Sequence, residues 1–172
     1  MEKENQIDVH IRWMIRLDMP QVLKIEKSSF EFPWSEEDFI RCLRQRNYIG
    51  MVAEFNETVV GFMIYELHEN KLHVLNFAVR PDFRRRSVGT QMVEKLIGKL
   101  SVQRRRRITF EIRETNLAGQ KFFSELGFKA ISLLRNHYDR NHTNEDAYVM
   151  QYEHPGIKKP LEMKNRISRI SA

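Results

Sequence analysis

NFAVRPDFRRRSVGTQMVEKLIGKL, Asn76 to Leu100, is the stretch on which the fold turns. An apolar run stops at Pro81 and passes Arg84, Arg85 and Arg86. It then opens through Ser87, Val88 and Gly89 into a segment where Met92, Val93, Leu96, Ile97 and Leu100 recur at helical spacing. A helix start offers unpaired backbone N–H groups and the positive end of the macrodipole. Small residues there let an anion come close, and neighbouring arginines add charge. Strand, basic loop and helix in this order suit a pyrophosphate. The stretch has neither a Gly-x-Gly-x-x-Gly run nor a Gly-Lys-Ser/Thr ending, which argues against dehydrogenases and kinases. The bland alternative is a basic loop ahead of an ordinary core-packing helix.

Upstream, Asp8 to Arg16 reads as a strand, and Asp18 with Pro20 as a capped helix start running through Val22, Leu23 and Ile25 to about Ser28. Phe30 to Trp34 is a loop, and Ser35 with Asp38 reads as the N-cap of a second helix carrying Phe39, Ile40 and Leu43. Tyr48–Phe55 and Val59–Leu67 form a hairpin turning at Asn56 and Glu57. Leu72 to Val79 is apolar on both faces, as a central strand would be. Asn76 is read as its one polar interruption and the place for a bulge or ligand contact. Downstream come a strand at Ile108–Arg113, a helix at Leu117–Leu126, and closing strands at Phe128–Arg135 and Ala147–Tyr152. That order predicts an α/β (α+β) fold, a mixed, mostly antiparallel sheet of about seven strands with helices on both faces.

With 172 residues, 41% hydrophobic and 30% charged, the chain has the length of one domain. Residues 1–153 are expected to form it, and residues 154–172 to be a basic, flexible tail. No apolar run approaches a membrane span and no signal peptide is apparent, so a cytoplasmic protein is expected. The single cysteine, Cys42, allows no intramolecular disulfide, and its helical surroundings suggest an ordinary thiol. The six histidines show no metal spacing, so no metal is expected. A net charge of +6 suits nucleic acid, a polyanionic coenzyme or an acceptor beside RNA phosphates, and does not choose among them. Arg104 to Arg107 reads as a solvated turn.

Following Val79 and Pro81, the positions of Arg84, Ser87 and Gly89 resemble the Gln/Arg-x-x-Gly-x-Gly/Ala loop of the GNAT N-acetyltransferases. The resemblance implies that backbone groups of Phe77, Ala78 and Val79 hold the pantetheine arm and acetyl group of acetyl-CoA. It also implies that the loop from Arg84 and Arg85 through Arg86, Ser87, Val88 and Gly89 to Thr90 wraps the pyrophosphate. Ser87 replaces the first motif glycine, and a helical φ is expected there, which a serine tolerates.

In ITFEIRETN, Ile108, Phe110 and Ile112 share one face, so Thr109, Glu111 and Arg113 share the other. Glu111 either faces a cleft or pairs with Arg113. From Ala78 to Glu111 the spacing is similar to that of RimI-type ribosomal-protein alanine N-acetyltransferases. ETNLAGQKFFSELGFKAISLLRNHYDRNHTNEDAYVM also resembles their ESN-x-x-A…LY-x-x-LGF…R-x-x-YY…EDA-x-x-M pattern. The resemblance makes Glu111 the general base, with a pKa raised if the site is dry. It makes Asn116 a coenzyme contact, and Phe32, Pro33, Trp34, Arg135 and Tyr138 parts of the peptide site. The family's general-acid tyrosine falls on Phe123, so Tyr138 or His137 is the substitute acid. The implied activity is direct acetyl transfer from acetyl-CoA to the N-terminal α-amine of a protein met near the ribosome, with no membrane or DNA partner. A lysine or small-molecule amine acceptor stays open, as does a binding module without turnover.

Overall fold

The computed structural model describes residues 5–137 and 145–157. The strands are β1 (His10–Trp13), β2 (Tyr48–Phe55), β3 (Thr58–Leu67), β4 (Lys71–Val79), β5 (Arg107–Arg113), β6 (Lys129–Leu134) and β7 (Ala147–Glu153). The helices are α1 (Met19–Ser29), α2 (Glu36–Leu43), α3 (Val88–Ile97) and α4 (Leu117–Glu125). The strands form one sheet ordered β1-β2-β3-β4-β5-β7-β6, antiparallel throughout except for β4 beside β5. The expected mixed sheet with helices on both faces is therefore present. Among the described residues no helix is long and apolar enough to cross a membrane.

Local chemistry accounts for several boundaries. Asn56 and Glu57 both adopt positive φ (47° and 61°), which matches the twist of the β2–β3 hairpin. At the start of α2, Ser35 Oγ accepts from Asp38 N–H at 3.2 Å and Asp38 Oδ2 accepts from Ser35 N–H at 2.9 Å, a reciprocal cap. Asp18 behaves differently from expectation: its carboxylate makes no cap bond to α1. It reaches back to the Arg12 guanidinium at 2.8 Å and the Ile15 N–H at 2.8 Å, while Arg12 also holds Glu54 at 2.8 Å. A tertiary cation outcompetes the local amides and ties β1, β2 and the start of α1 together.

Each sheet face has its own core. Val22, Ile25, Phe39, Val52, Phe62, Ile64 and Ala78 pack under α1 and α2. Met63, Leu72, Val74, Met92, Val93, Leu96, Ile108, Phe110 and Ile112 pack under α3 and α4. β4 changes sides between them. Tyr65 lies opposite Val74 and Ile64 opposite Asn76, so Leu75 is the extra residue of a bulge. Leu72 and Val74 thus face α3, and Asn76 and Ala78 face α1. The bulge that Asn76 suggested is present one residue earlier.

Candidate active site

β4 and β5 pair only at Lys71–His73 with Arg107–Thr109, although β4 continues to Val79 and β5 to Arg113. Beyond His73 the two strands part, leaving a notch whose β4 side carries Phe77, Ala78 and Val79. The basic loop and α3 lie at its far end. The α3 ladder begins with Gln91 N–H to Ser87 C=O at 3.0 Å, so the N–H groups of Val88, Gly89 and Thr90 precede it and are available to an anion. A Cβ built on Gly89 would stand 3.1 Å from Phe122 Cζ, so glycine permits the close approach of α3 to α4.

The three arginines of the loop do different work. Arg84 braces it, donating from Nε to Val79 C=O at 2.9 Å and from Nη2 to Ser29 Oγ at 3.1 Å. Arg86 donates to Asn5 C=O at 3.2 Å and lies over Phe83 at 5.0 Å. Arg85 is exposed and makes no hydrogen bond or ion pair with the described residues, which leaves its guanidinium for a phosphate. Gln91 clamps the loop to the N-terminal segment, donating to Ile7 C=O at 2.7 Å and accepting from Val9 N–H at 3.1 Å.

Ser87 corrects an expectation: its φ is 68°, in the left-handed region. The bonds of Arg84 and Gln91 fix the loop on either side of it, so the Cβ penalty is accepted. Left-handed backbone costs a non-glycine residue about 1–2 kcal/mol, partly offset by the greater unfolded entropy of glycine. Ser87→Gly is therefore expected to stabilise the fold by about 1 kcal/mol, a rise in Tm of roughly 2–4 °C by thermal unfolding.

Glu111 lies two residues beyond the last position at which β5 pairs with β4, on the α1/α2 face. Its Oε2 is 3.1 Å from His73 Nε2, and His73 Nδ1 is 2.8 Å from Thr109 Oγ1. The bond from His73 holds the Glu111 carboxyl below the ordinary carboxylate range. Burial opposes this, and the charges of His73 and His137 add to it. The raised pKa expected for a dry site is thus overturned, because the hydrogen bond from His73 outweighs desolvation. His73 is also a second polar interruption of the central strand, alongside Asn76.

Phe32 is 46% exposed and Arg113 lies over its ring at 5.6 Å. Trp34 stacks edge-on against Phe39 at 5.2 Å. Arg113 also pairs with Glu145. Arg135 is exposed just after β6. Tyr138 lies outside the described residues. Asn116 caps α4, its Oδ1 accepting from Gly119 N–H at 2.9 Å. Phe123 sits among Phe77, Phe110, Phe122 and Phe128, at 4.3 Å from Phe110. It lines the notch from the α4 side and has no proton to give. Cys42 has its thiol pushed up to about 11 by burial and the Glu66 charge, as suits a thiol without catalytic duty. Among the described residues no cluster of three or more His, Cys, Asp or Glu could hold a metal.

Sequence reasoning missed Glu26. It is 1% exposed, accepts from Trp34 N–H at 2.8 Å and from Asn76 Nδ2 at 2.9 Å, and has its carboxyl pushed up by burial. One side chain thus joins α1, the Phe32–Trp34 loop and the β4 bulge. The available signal was its position four residues after Val22, on the buried stripe of α1.

Residues 19–128 match the model of the acetyltransferase (GNAT) family. The chain is 31% identical to a ribosomal protein bS18-alanine N-acetyltransferase of Salmonella typhimurium over 77% of this chain and 89% of that one. It is 30% identical to the enzyme of the same name from Escherichia coli K12, with the same coverage. The crystal structure of the ribosomal-protein-S18-alanine N-acetyltransferase from Escherichia coli superposes with a TM-score of 0.78 at 27% identity, covering 90% of this chain and 99% of that one.

Proposed function

The chain belongs to the acetyltransferase (GNAT) family, which uses acetyl-CoA, and we propose that its acceptor is the N-terminal α-amine of a protein, of the ribosomal-protein alanine type. The observation that carries this reading is the Glu111 carboxylate at the fork of β4 and β5, on the face that also bears Arg113 and Phe32. The relatives named for acetylating the alanine of ribosomal protein bS18 support it.

The first turn of α3, with Arg85, binds the pyrophosphate. The β4 edge from Phe77 to Val79 orients the pantetheine arm, and its N–H groups polarise the thioester carbonyl. Asn116 adds a contact to the coenzyme from the start of α4. The acceptor lies along Phe32, Pro33 and Trp34, with Arg135 and Tyr138 as walls. The amine nitrogen adds to the carbonyl while Glu111, acting through one water, takes its proton. The C–S bond then breaks with its electron pair on sulfur, and the thiolate is protonated from solvent or by Tyr138 or His137. An α-amine with a pKa near 7.8 is about one-tenth neutral at pH 7, whereas a lysine near 10.4 is neutral roughly once in 2,500. A base with a lowered pKa is matched to the first acceptor.

Residues 1–153 form the catalytic domain and residues 154–172 a basic extension in this reading. The site of action is the cytoplasm, where the +6 net charge favours an acceptor beside RNA. A panel of peptides with free and acetyl-blocked N-termini, each containing an internal lysine, tests the acceptor. Turnover is expected only with a free α-amine. Equal acetylation of a blocked, lysine-containing peptide would refute the proposal.

A further inference from the structure

We propose that His73 is the positioning residue of Glu111: its Nε2–H holds one carboxylate oxygen while Thr109 fixes the ring, so that the rest of the carboxylate is presented to the acceptor. The inference rests on the reading of Glu111 as the base and adds to it a residue that the motif does not contain.

His73 Nε2 lies 3.1 Å from Glu111 Oε2, and because a carboxylate only accepts, the contact is favourable when that nitrogen carries hydrogen. The hydroxyl of Thr109, 2.8 Å from Nδ1, can donate to a bare ring nitrogen or accept from a protonated one. The ring therefore keeps both partners in either charge state. His73 and Thr109 are also directly opposite in the last parallel pairs before the strands part, so their bond closes the apex of the notch. Glu111 stands just past that apex, and the bond from His73 restrains a side chain that is otherwise 30% exposed.

From β3, Glu66 lies directly across from His73, and its carboxylate is engaged by His68 Nε2 at 2.9 Å and Asn47 Nδ2 at 2.8 Å. The His68 ring meets that of His73 edge-on at 6.3 Å, and Arg105 donates to His68 C=O at 2.9 Å. From β5 come Thr109 and Glu111, and the charge of His137, after β6, reaches Glu111. Among the described residues, His73 reaches Glu111 from the neighbouring strand through its side chain.

The sign of the effect follows. His73 favours the charged form of Glu111 through its hydrogen bond and its charge, so its loss lets the Glu111 pKa rise. The acid limb of the kcat profile should then move to higher pH. The test uses His73→Leu and His73→Gln in the full chain, with Glu111→Gln and the His73→Leu/Glu111→Gln double variant. Steady-state kinetics with a free-N-terminus peptide, binding of acetyl-CoA and thermal unfolding are measured together. His73→Leu should lower kcat roughly tenfold or more, leave KM for both substrates within about twofold, and raise the acid limb. His73→Gln, which keeps a donor, should recover part of the rate. In the Glu111→Gln background the histidine change should cost little, since residues acting as a unit are not additive. Unchanged kcat and acid limb in His73→Leu, beside a large loss in Glu111→Gln, would overturn the role of His73 alone. Full activity in Glu111→Gln would remove the base on which both rest. A uniform loss of coenzyme affinity or folding in both histidine variants would make His73 a structural clamp, against the proposal.

Discussion

Glu111→Gln is expected to lower kcat by about a hundred- to a thousandfold while coenzyme binding stays near that of the parent protein. The range is that expected for loss of a positioned general base. Glutamine keeps the volume, and its carbonyl oxygen can still accept from His73 Nε2, 3.1 Å away in the parent, so the fork of the notch should keep its shape. What disappears is the group that receives the proton. The residual rate should keep climbing above the reference α-amine pKa of about 7.8, as hydroxide takes over the proton, whereas the rate of the parent levels off there. The deficit between the two proteins should therefore narrow between neutral pH and pH 9. Stopped-flow or steady-state release of free thiol across that range measures it. A constant deficit at every pH, or a loss that appears in coenzyme affinity, would mean that Glu111 shapes the site without taking the proton.

The parts of this protein legible in its sequence are those fixed by neighbours in the chain. The Asn56-Glu57 turn, the Ser35 and Asp38 cap and the alternation of β5 all rest on contacts within a few residues, and each appears where periodicity and cap chemistry put it. The misreadings share a different cause. Asp18 has the composition of a helix cap, but its partner is Arg12 on β1. Ser87 was expected in a helical conformation. Its left-handed φ is held by Arg84 reaching Val79 and Ser29, and by Gln91 reaching Ile7, contacts that no local pattern encodes. His73 hid inside an apolar run because its partners, Thr109 and Glu111, lie 36 and more residues downstream. The basic loop ahead of α3 could thus be read as a local motif. The surroundings of Glu111 could not.

Glu26→Ala is expected to destabilise the fold by roughly 3 kcal/mol, since it leaves one buried and one half-buried donor unpaired at about 1–3 kcal/mol each. Those donors are Trp34 N–H and Asn76 Nδ2, at 2.8 and 2.9 Å from the carboxylate in the parent. For a domain of this size the loss corresponds to a fall in Tm of roughly 6–12 °C. Glu26→Gln should cost less, because rotation of the Asn76 amide by half a turn presents its oxygen to the new NH2 group. The two variants also separate by pH. Burial raises the folded pKa of Glu26 above its unfolded value, so protonation favours the native state. That contribution is complete below the ordinary carboxylate range and is lost as pH rises through the raised folded value. Glutamine does not titrate, so the stability advantage of the parent over Glu26→Gln should be largest in acid and shrink toward neutrality. Urea unfolding at pH 4 and pH 7 reads this directly, and an advantage that grows toward neutrality would show a carboxylate stabilised in its charged form instead. Because Glu26 ties the Phe32–Trp34 loop to the bulge of β4, its loss should also raise KM for the peptide more than KM for acetyl-CoA. The loop before α3 has its own anchors in Arg84 and Gln91, whereas the Trp34 N–H of the Phe32–Trp34 loop is held by Glu26, which is bonded to Asn76 of β4.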